Sequence, residues 1–198
     1  MLVRNKKTFS IGVFFAITFL VVLALIFSPV FNGKNGLVFS DDMFNKLSKG
    51  SSYFIPKVAK SVEKVNGKAL SVNIKLDKAE DVENIAKLFT TAGATVETRD
   101  VQLKIHGDLG VILSSALKDA DSMYNNDGKA VVDRYGYDEK TAMKNWWGAL
   151  SKVDKELKKE KLIAEAKVVS DVVKKALEPA YNFYQIDANK VADHAGMM

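Results

Sequence analysis

Between Thr8 and Phe31 the chain runs TFSIGVFFAITFLVVLALIFSPVF without one charged residue. As a single helix this stretch would reach roughly 36 Å, enough to cross a hydrocarbon core of about 30 Å with some tilt. A buried core helix fits it poorly, because few globular cores need so long a run with no polar face. Arg4, Lys6 and Lys7 stand before the stretch, and Lys34 is the nearest basic residue after it. The positive-inside rule then predicts a single-pass span of the cytoplasmic (inner) membrane, N-terminus inside, with a periplasmic or otherwise extracytoplasmic domain. Ile11, Phe14, Phe15, Phe19, Leu20, Leu23, Leu25 and Phe27 are the candidate anchor residues. A cleaved signal peptide has an apolar region of about 7–15 residues closed by small side chains. Here the run is longer and ends bulky, Leu25-Ile26-Phe27-Ser28-Pro29-Val30-Phe31. An uncleaved anchor is the expectation.

The chain contains no cysteine. Lipoprotein acylation, disulfides, thiolate nucleophiles, Cys-ligated zinc and iron–sulfur clusters are thereby excluded. The formal net charge is +5, but three basic residues and no acid lie before residue 32, leaving about +2 for the rest. Acids and bases are interspersed there, so the basic balance reads as a topology signal. It is not a nucleic-acid signal, which requires a basic patch on one face.

The expected organisation is a cytoplasmic tail over 1–7, a transmembrane helix over 8–31, a linker over 32–36, membrane-proximal helices and a βαββ unit over 37–107, a helical region over 108–186, and a tail over 187–198. The spacing predicts a short helix capped by Ser40 and ended by Gly50, then a second beginning at Pro56 and stopped by Asn66-Gly67. Either of these could lie on a membrane surface. Residues 69–76, ALSVNIKL, alternate cleanly, with Leu70, Val72, Ile74 and Leu76 on one side. That is a half-buried strand. Asp77 with Glu80 resembles a capping box opening a helix whose apolar stripe is Val82, Ile85, Ala86 and Phe89, ended by Gly93. Two more strands follow, Ala94 to Thr98 and Val101 to His106, joined at Arg99-Asp100. A right-handed crossover makes the first two strands parallel, and the short turn makes the last two an antiparallel hairpin.

Asp108 is the expected cap of a helix buried through Leu109, Ile112, Leu113, Ala116, Leu117 and Ala120. A short helix from Lys129 to Arg134 should end at Gly136. From Asp138 to about Leu177 there is no proline and one glycine, Gly148. This reads as one long helix, on the order of 60 Å, kinked or restarted at Pro179. Its apolar seam steps by three and four through Met143, Trp146, Leu150, Val153 and Leu157, and again from Leu162 through Ala166, Val169 and Val173. Between the halves, Leu157 to Leu162 is a step of five, which swings the stripe sideways by about 140°. One half should pack on the βαββ core. The other should meet a separate helix layer or a partner, or the helix should bend at Lys158-Lys159-Glu160-Lys161. The chain end, with one short helix after Asp187 and a loose Ala-Gly-Met-Met, completes the expected fold: α+β, with a transmembrane helix, a three-stranded sheet unit, and a larger helical part including the long helix.

Candidate chemistry is sparse. Registering Asn125-Asn126-Asp127-Gly128 as an EF-hand places Met123 first and Arg134 last, where an oxygen ligand and a bidentate glutamate are required. It reads as a turn. His106 and His194 have no ligand-spaced partners beyond Asp108 and Asp193. Gly107 and Gly110 make no phosphate-binding fingerprint, and Glu160 and Glu165 lie among lysines. No catalytic, metal or cofactor residue is assigned. Adjacent Trp146 and Trp147 point about 100° apart on a helix, so one is expected in the core and the other at the rim. Trp146, Trp147, Leu162, Val169 and Val173 are the candidate partner-facing residues. The resulting expectation is a non-catalytic accessory, assembly or scaffold subunit with two partners: the membrane, and a protein in the form of a membrane complex or a second copy. The alternative is an extracytoplasmic ligand-binding or sensing domain for an unidentified small molecule.

Overall fold

The computed structural model describes residues 5–188. Arg4, the expected C-terminal helix, His194 and the Ala-Gly-Met-Met end lie outside the described residues.

The apolar stretch forms α1, Lys6–Phe27, about 33 Å long, with Asn5 as its N-cap. It is shorter than expected because Pro29 cannot continue a helix and holds Ser28 extended, at φ −80° and ψ 149°. Val30 and Phe31 therefore leave the helix. Asn32-Gly33 follow as a tight turn with positive φ at both residues, 51° and 78°, closed by the Phe31–Lys34 bridge. Asn35 already caps α2, Gly36–Ser51, so the expected Ser40 cap lies inside a helix that starts earlier and runs past Gly50. α3, Ile55–Val62, carries Pro56 in its first turn and runs into a 3₁₀ turn at Glu63–Val65.

β1, Ala69–Lys75, shows the alternation read from the sequence, every second residue buried. A 3₁₀ turn at Ala79–Asp81 leads into α4, Val82–Thr91, and β2 spans Thr95–Arg99. The Asp77 side chain caps nothing there; it pairs with Lys152 at 3.0 Å. β3, Gln102–Asp108, completes the sheet. The strand order is β1-β3-β2, with β3 antiparallel to both neighbours. β1 and β2 thus run in the same direction, but β3 is inserted between them, a split βαβ arrangement. The sheet is fully antiparallel in its pairing. Leu103 and Ile105 explain the central place of β3: both are fully buried and flanked on each side by paired strands.

α5, Leu109–Tyr124, is capped by Asp108, and all six residues of its expected face are buried. α6, Gly128–Tyr135, ends at left-handed Gly136. The long helix is not continuous: it is broken in two at the Lys158-Lys159-Glu160-Lys161 point, where a bend is the expected alternative. α7 spans Glu139–Lys159, and α8 spans Ile163–Val172. The break is a Schellman motif: the Leu162 N–H bonds the Leu157 carbonyl at 2.9 Å, and the Lys161 N–H bonds the Lys158 carbonyl at 3.2 Å. Lys161 holds φ +63°, a position that glycine normally fills. The five-residue step from Leu157 to Leu162 is the spacing of the two residues that such a cap brings together. α8 doubles back along α7. It continues through a π-helical turn, Val173–Leu177, into α9, Glu178–Asn182. The wider turn, in which the Glu178 N–H reaches the Val173 carbonyl, lets Pro179 follow without breaking the rod.

α7 lies on β1 and α4, while α8 meets α3 and α5, so the separate helix layer expected for the second half is supplied by the chain itself. Leu150 and Val169 are both fully buried. The cap yields a test with opposite signs for the two architectures. Lys161→Gly should raise unfolding stability by about 0.5–1 kcal/mol, because it relieves a left-handed lysine. In an unbroken helix the same change would lower stability by about that amount. Denaturant unfolding of the full chain in detergent reads the sign.

Candidate functional site

Among the described residues the most heavily engaged buried polar group is Asp119, fully buried on α5. Its carboxylate accepts from the Tyr135 hydroxyl at 2.5 Å and from Trp146 Nε1 at 2.8 Å, and it pairs with the Arg134 guanidinium. Helices α5, α6 and α7 are tied together at one carboxylate. Burial raises the Tyr135 phenol above its usual pKa. The sequence carried a signal for this hub: Asp119 falls on the same face as Ile112, Ala116 and Met123, the only acid on that buried stripe. Which donors would meet it could not be read, because they lie 15 to 27 residues away.

Drawing Trp146 inward turns Trp147 outward. Trp146 is fully buried and packs edge-on against Phe89, at 5.2 Å between centroids, whereas Trp147 is 47% exposed. Trp147 forms one wall of a cleft of about 270 Å³ between α7 and the π-turn–α9 segment, lined by Met143, Leu177 and Tyr181, with Lys144, Glu178 and Asn182 at its edges. Tyr181 is also close to half exposed. The walls are chiefly apolar and the rim carries one cation and one anion. Leu177 and Glu178 owe their places to the π-turn, a local widening that recurs at functional sites.

The cleft lies at a definite end of the domain. Just past Asn182, Phe183 packs edge-on against Tyr124 at the C-terminal end of α5, and the Tyr184 hydroxyl donates to Glu139 at 2.9 Å. The Gln185 N–H donates to Asn126 Oδ1 at 2.8 Å. There Lys49, the last basic residue of α2, is buried: its ammonium donates to the Ile186 carbonyl at 2.5 Å and to Asn126 Oδ1 at 3.0 Å, over the Tyr124 ring. Burial lowers the Lys49 pKa, opposed by the charge of Asp187. The Tyr124 hydroxyl in turn donates to the Lys49 carbonyl. Asn126, considered above as a possible calcium ligand, is thus occupied in fastening α2 to the body. At the other end of α5, about 24 Å away, Gly110 presses on the Asn66 turn and Lys68 pairs with Glu165. The α7–α8 turn, with exposed Leu162 and Ile163, belongs to that far end.

Of the five candidate partner-facing residues, Trp146, Val169 and Val173 are buried in the chain's own core, a correction to the sequence expectation that follows from α8 folding back on α7. Trp147 and Leu162 are exposed, at opposite ends of the domain. Tyr181 was missed as a companion of Trp147, because the break at Lys161 that brings α9 beside α7 carries no glycine. The eight candidate anchor residues are all exposed, and no residue of α1 is buried. Among the described residues α1 is the one helix long and apolar enough to cross a membrane. The outer face of the sheet presents a polar grid of Ser71, Asn73 and Lys75, His106, Lys104 and Gln102, and Thr95, Glu97 and Arg99. Comparison with protein-family models, curated proteins and solved structures finds no match.

The hub gives a stability prediction. Asp119→Ala leaves Arg134 without its counter-ion and two buried donors without an acceptor, and should cost about 3–5 kcal/mol. Asp119→Asn, which keeps one acceptor, should cost less. Denaturant unfolding of the full chain in detergent micelles measures both; a change within error of wild type for Asp119→Ala would remove the hub from the account.

Proposed function

We propose that the chain is a single-pass, membrane-anchored protein of the inner membrane whose α+β domain lies outside the cytoplasm. It serves there as a non-catalytic accessory or assembly subunit, docking a protein partner at the membrane surface. The observation that carries this reading is the exposed Trp147–Tyr181 cleft at the end of the domain to which α2, and hence α1, is attached. Two exposed aromatic rings beside an apolar floor are the composition of an interaction hot spot. At about 270 Å³ the cleft is below the usual range of small-molecule sites, about 300–1,000 Å³, and it suits one apolar side chain of a partner. That consideration favours docking over the sensing alternative. Lys144 and Glu178 at the rim would fix the partner's orientation by charge, which sets specificity more than affinity. Placement outside the cytoplasm rests on Arg4, Lys6 and Lys7, which precede the apolar run beginning at Thr8, the latter two forming the first residues of α1.

A photo-crosslinking residue at Lys144 should give a discrete adduct in native membranes, whereas one at Ser114, exposed on α5, should not. Adding Trp147→Ala with Tyr181→Ala should abolish the adduct while shifting the unfolding midpoint much less than Asp119→Ala does, since both side chains are close to half exposed. An adduct that survives the double substitution would contradict the reading.

A further inference from the structure

The segment joining α1 to α2 has the construction of a shaped surface. The Phe31–Lys34 bridge, with both backbone bonds at 3.0 Å, folds the chain into a tight reversal. The Phe31 ring stacks on Phe39 at 5.4 Å and 26°. Asn35 accepts from the Val38 N–H at 2.9 Å and starts α2 at once. Gly36 sits directly against α1: a Cβ there would lie 3.2 Å from the Ile26 carbonyl oxygen and 3.3 Å from the Phe31 ring. A side chain there would require these neighbours to give by a few tenths of an ångström. Lys34 pairs with Asp42 across the elbow, so its charge is compensated.

Around this elbow the fold leaves Val30, Leu37, Val38, Phe39 and Phe44 exposed, Phe44 at 61%. Leu37 and Phe44 share a face of α2, being seven residues apart, two helical turns, with the exposed carboxylate of Asp41 between them. A cluster of large apolar side chains of this kind marks an interaction surface. The occupant follows from the position of Gly36. It touches Ile26 in the last turn of α1, and α1, at about 33 Å, just covers a hydrocarbon core of about 30 Å. The last turn of such a helix lies at the boundary between acyl chains and headgroups. The side chains next to Gly36 are held at that same depth.

We propose that the α1–α2 elbow is a lipid-contacting wedge. Val30, Phe31, Leu37 and Phe39 sit at the acyl–headgroup boundary, and α2 lies along the membrane surface with Phe44 facing lipid. The anchor and α2 together would then set the tilt of the domain, because Lys49 fastens the far end of α2 to the body. The inference rests on α1 spanning the bilayer, and its test separates the two.

The absence of cysteine permits single labels on the full chain. An environment-sensitive NBD fluorophore is placed at Leu37→Cys, Phe44→Cys, Phe19→Cys and Ser114→Cys, and each protein is reconstituted into phosphatidylcholine vesicles. Nitroxide lipids carry the quencher near the headgroup or near the acyl terminus. The expected result is blue-shifted emission at positions 37 and 44 with loss of intensity to the shallow quencher, quenching of position 19 by the deep one, and neither at 114. If 19 is quenched while 37 and 44 emit as 114 does, α2 stands off in water and the wedge is overturned. Blue-shifted but unquenched emission at 37 and 44 means that protein, a second copy or a partner, covers the surface, which also overturns it. If position 19 is unquenched by either lipid, the anchor reading itself has failed and the wedge with it.

Discussion

The buried carboxylate of Asp119 is the constraint on which the helical layer depends. An ionised carboxylate in a core is tolerated only when its oxygens are occupied, and three helices have to converge to occupy these. Tyr135 and Arg134 fix α6, and Trp146 fixes the rotation of α7 about its own axis. The adjacent tryptophan then has no choice of face. Because successive residues on a helix diverge by about 100°, the bond from Trp146 to Asp119 presents Trp147 to the outside. A buried polar contact that contributes to specificity of packing thus also sets the proposed docking surface.

A second consequence concerns the two ends of α5. Its C-terminal end gathers Lys49, Tyr53, Tyr124 and Phe183, the residues that join the α1–α2 arm to the body. Its N-terminal end gathers the Asn66 turn and the Lys68–Glu165 pair. The cleft belongs to the first group and the Leu162–Ile163 turn to the second. Burying Lys49, which has no carboxylate at bonding distance among the described residues, costs desolvation, offset by two acceptors and the face of Tyr124. Such a fastening makes mechanical sense where the arm carries the load of orienting the domain.

Local patterns in the sequence were legible where local physics decides. The alternation of residues 69–75, the Asp108 cap, the buried face of α5 and the in-and-out pair of tryptophans all appear in the structure as read. Sheet order was not legible, because hairpin and crossover cues fix the direction of strands but not which of them lies in the middle; the complete burial of Leu103 and Ile105 decides that. The long helix breaks at the lysine-rich point where a bend is one of the expected alternatives, but the full reversal was not legible, for one reason. Its phase jump from Leu157 to Leu162 was visible, but a lysine occupies the left-handed position of the cap, so the usual glycine signal is missing. That one hidden break buried Val169 and Val173 inside the chain and brought Tyr181 beside Trp147, changing the candidate surface.

The central claim is that the membrane-facing end of the domain is the end bearing the Trp147–Tyr181 cleft. Energy transfer from a donor on the domain to acceptors on lipid headgroups tests it directly. Two single-cysteine variants of the full chain, Asn182→Cys at the cleft and Ile163→Cys at the far turn, are labelled with the same donor and reconstituted into vesicles with acceptor-labelled lipid. The account predicts markedly greater transfer from position 182 than from 163. Equal transfer, or greater transfer from 163, would place the cleft away from the membrane and contradict the account.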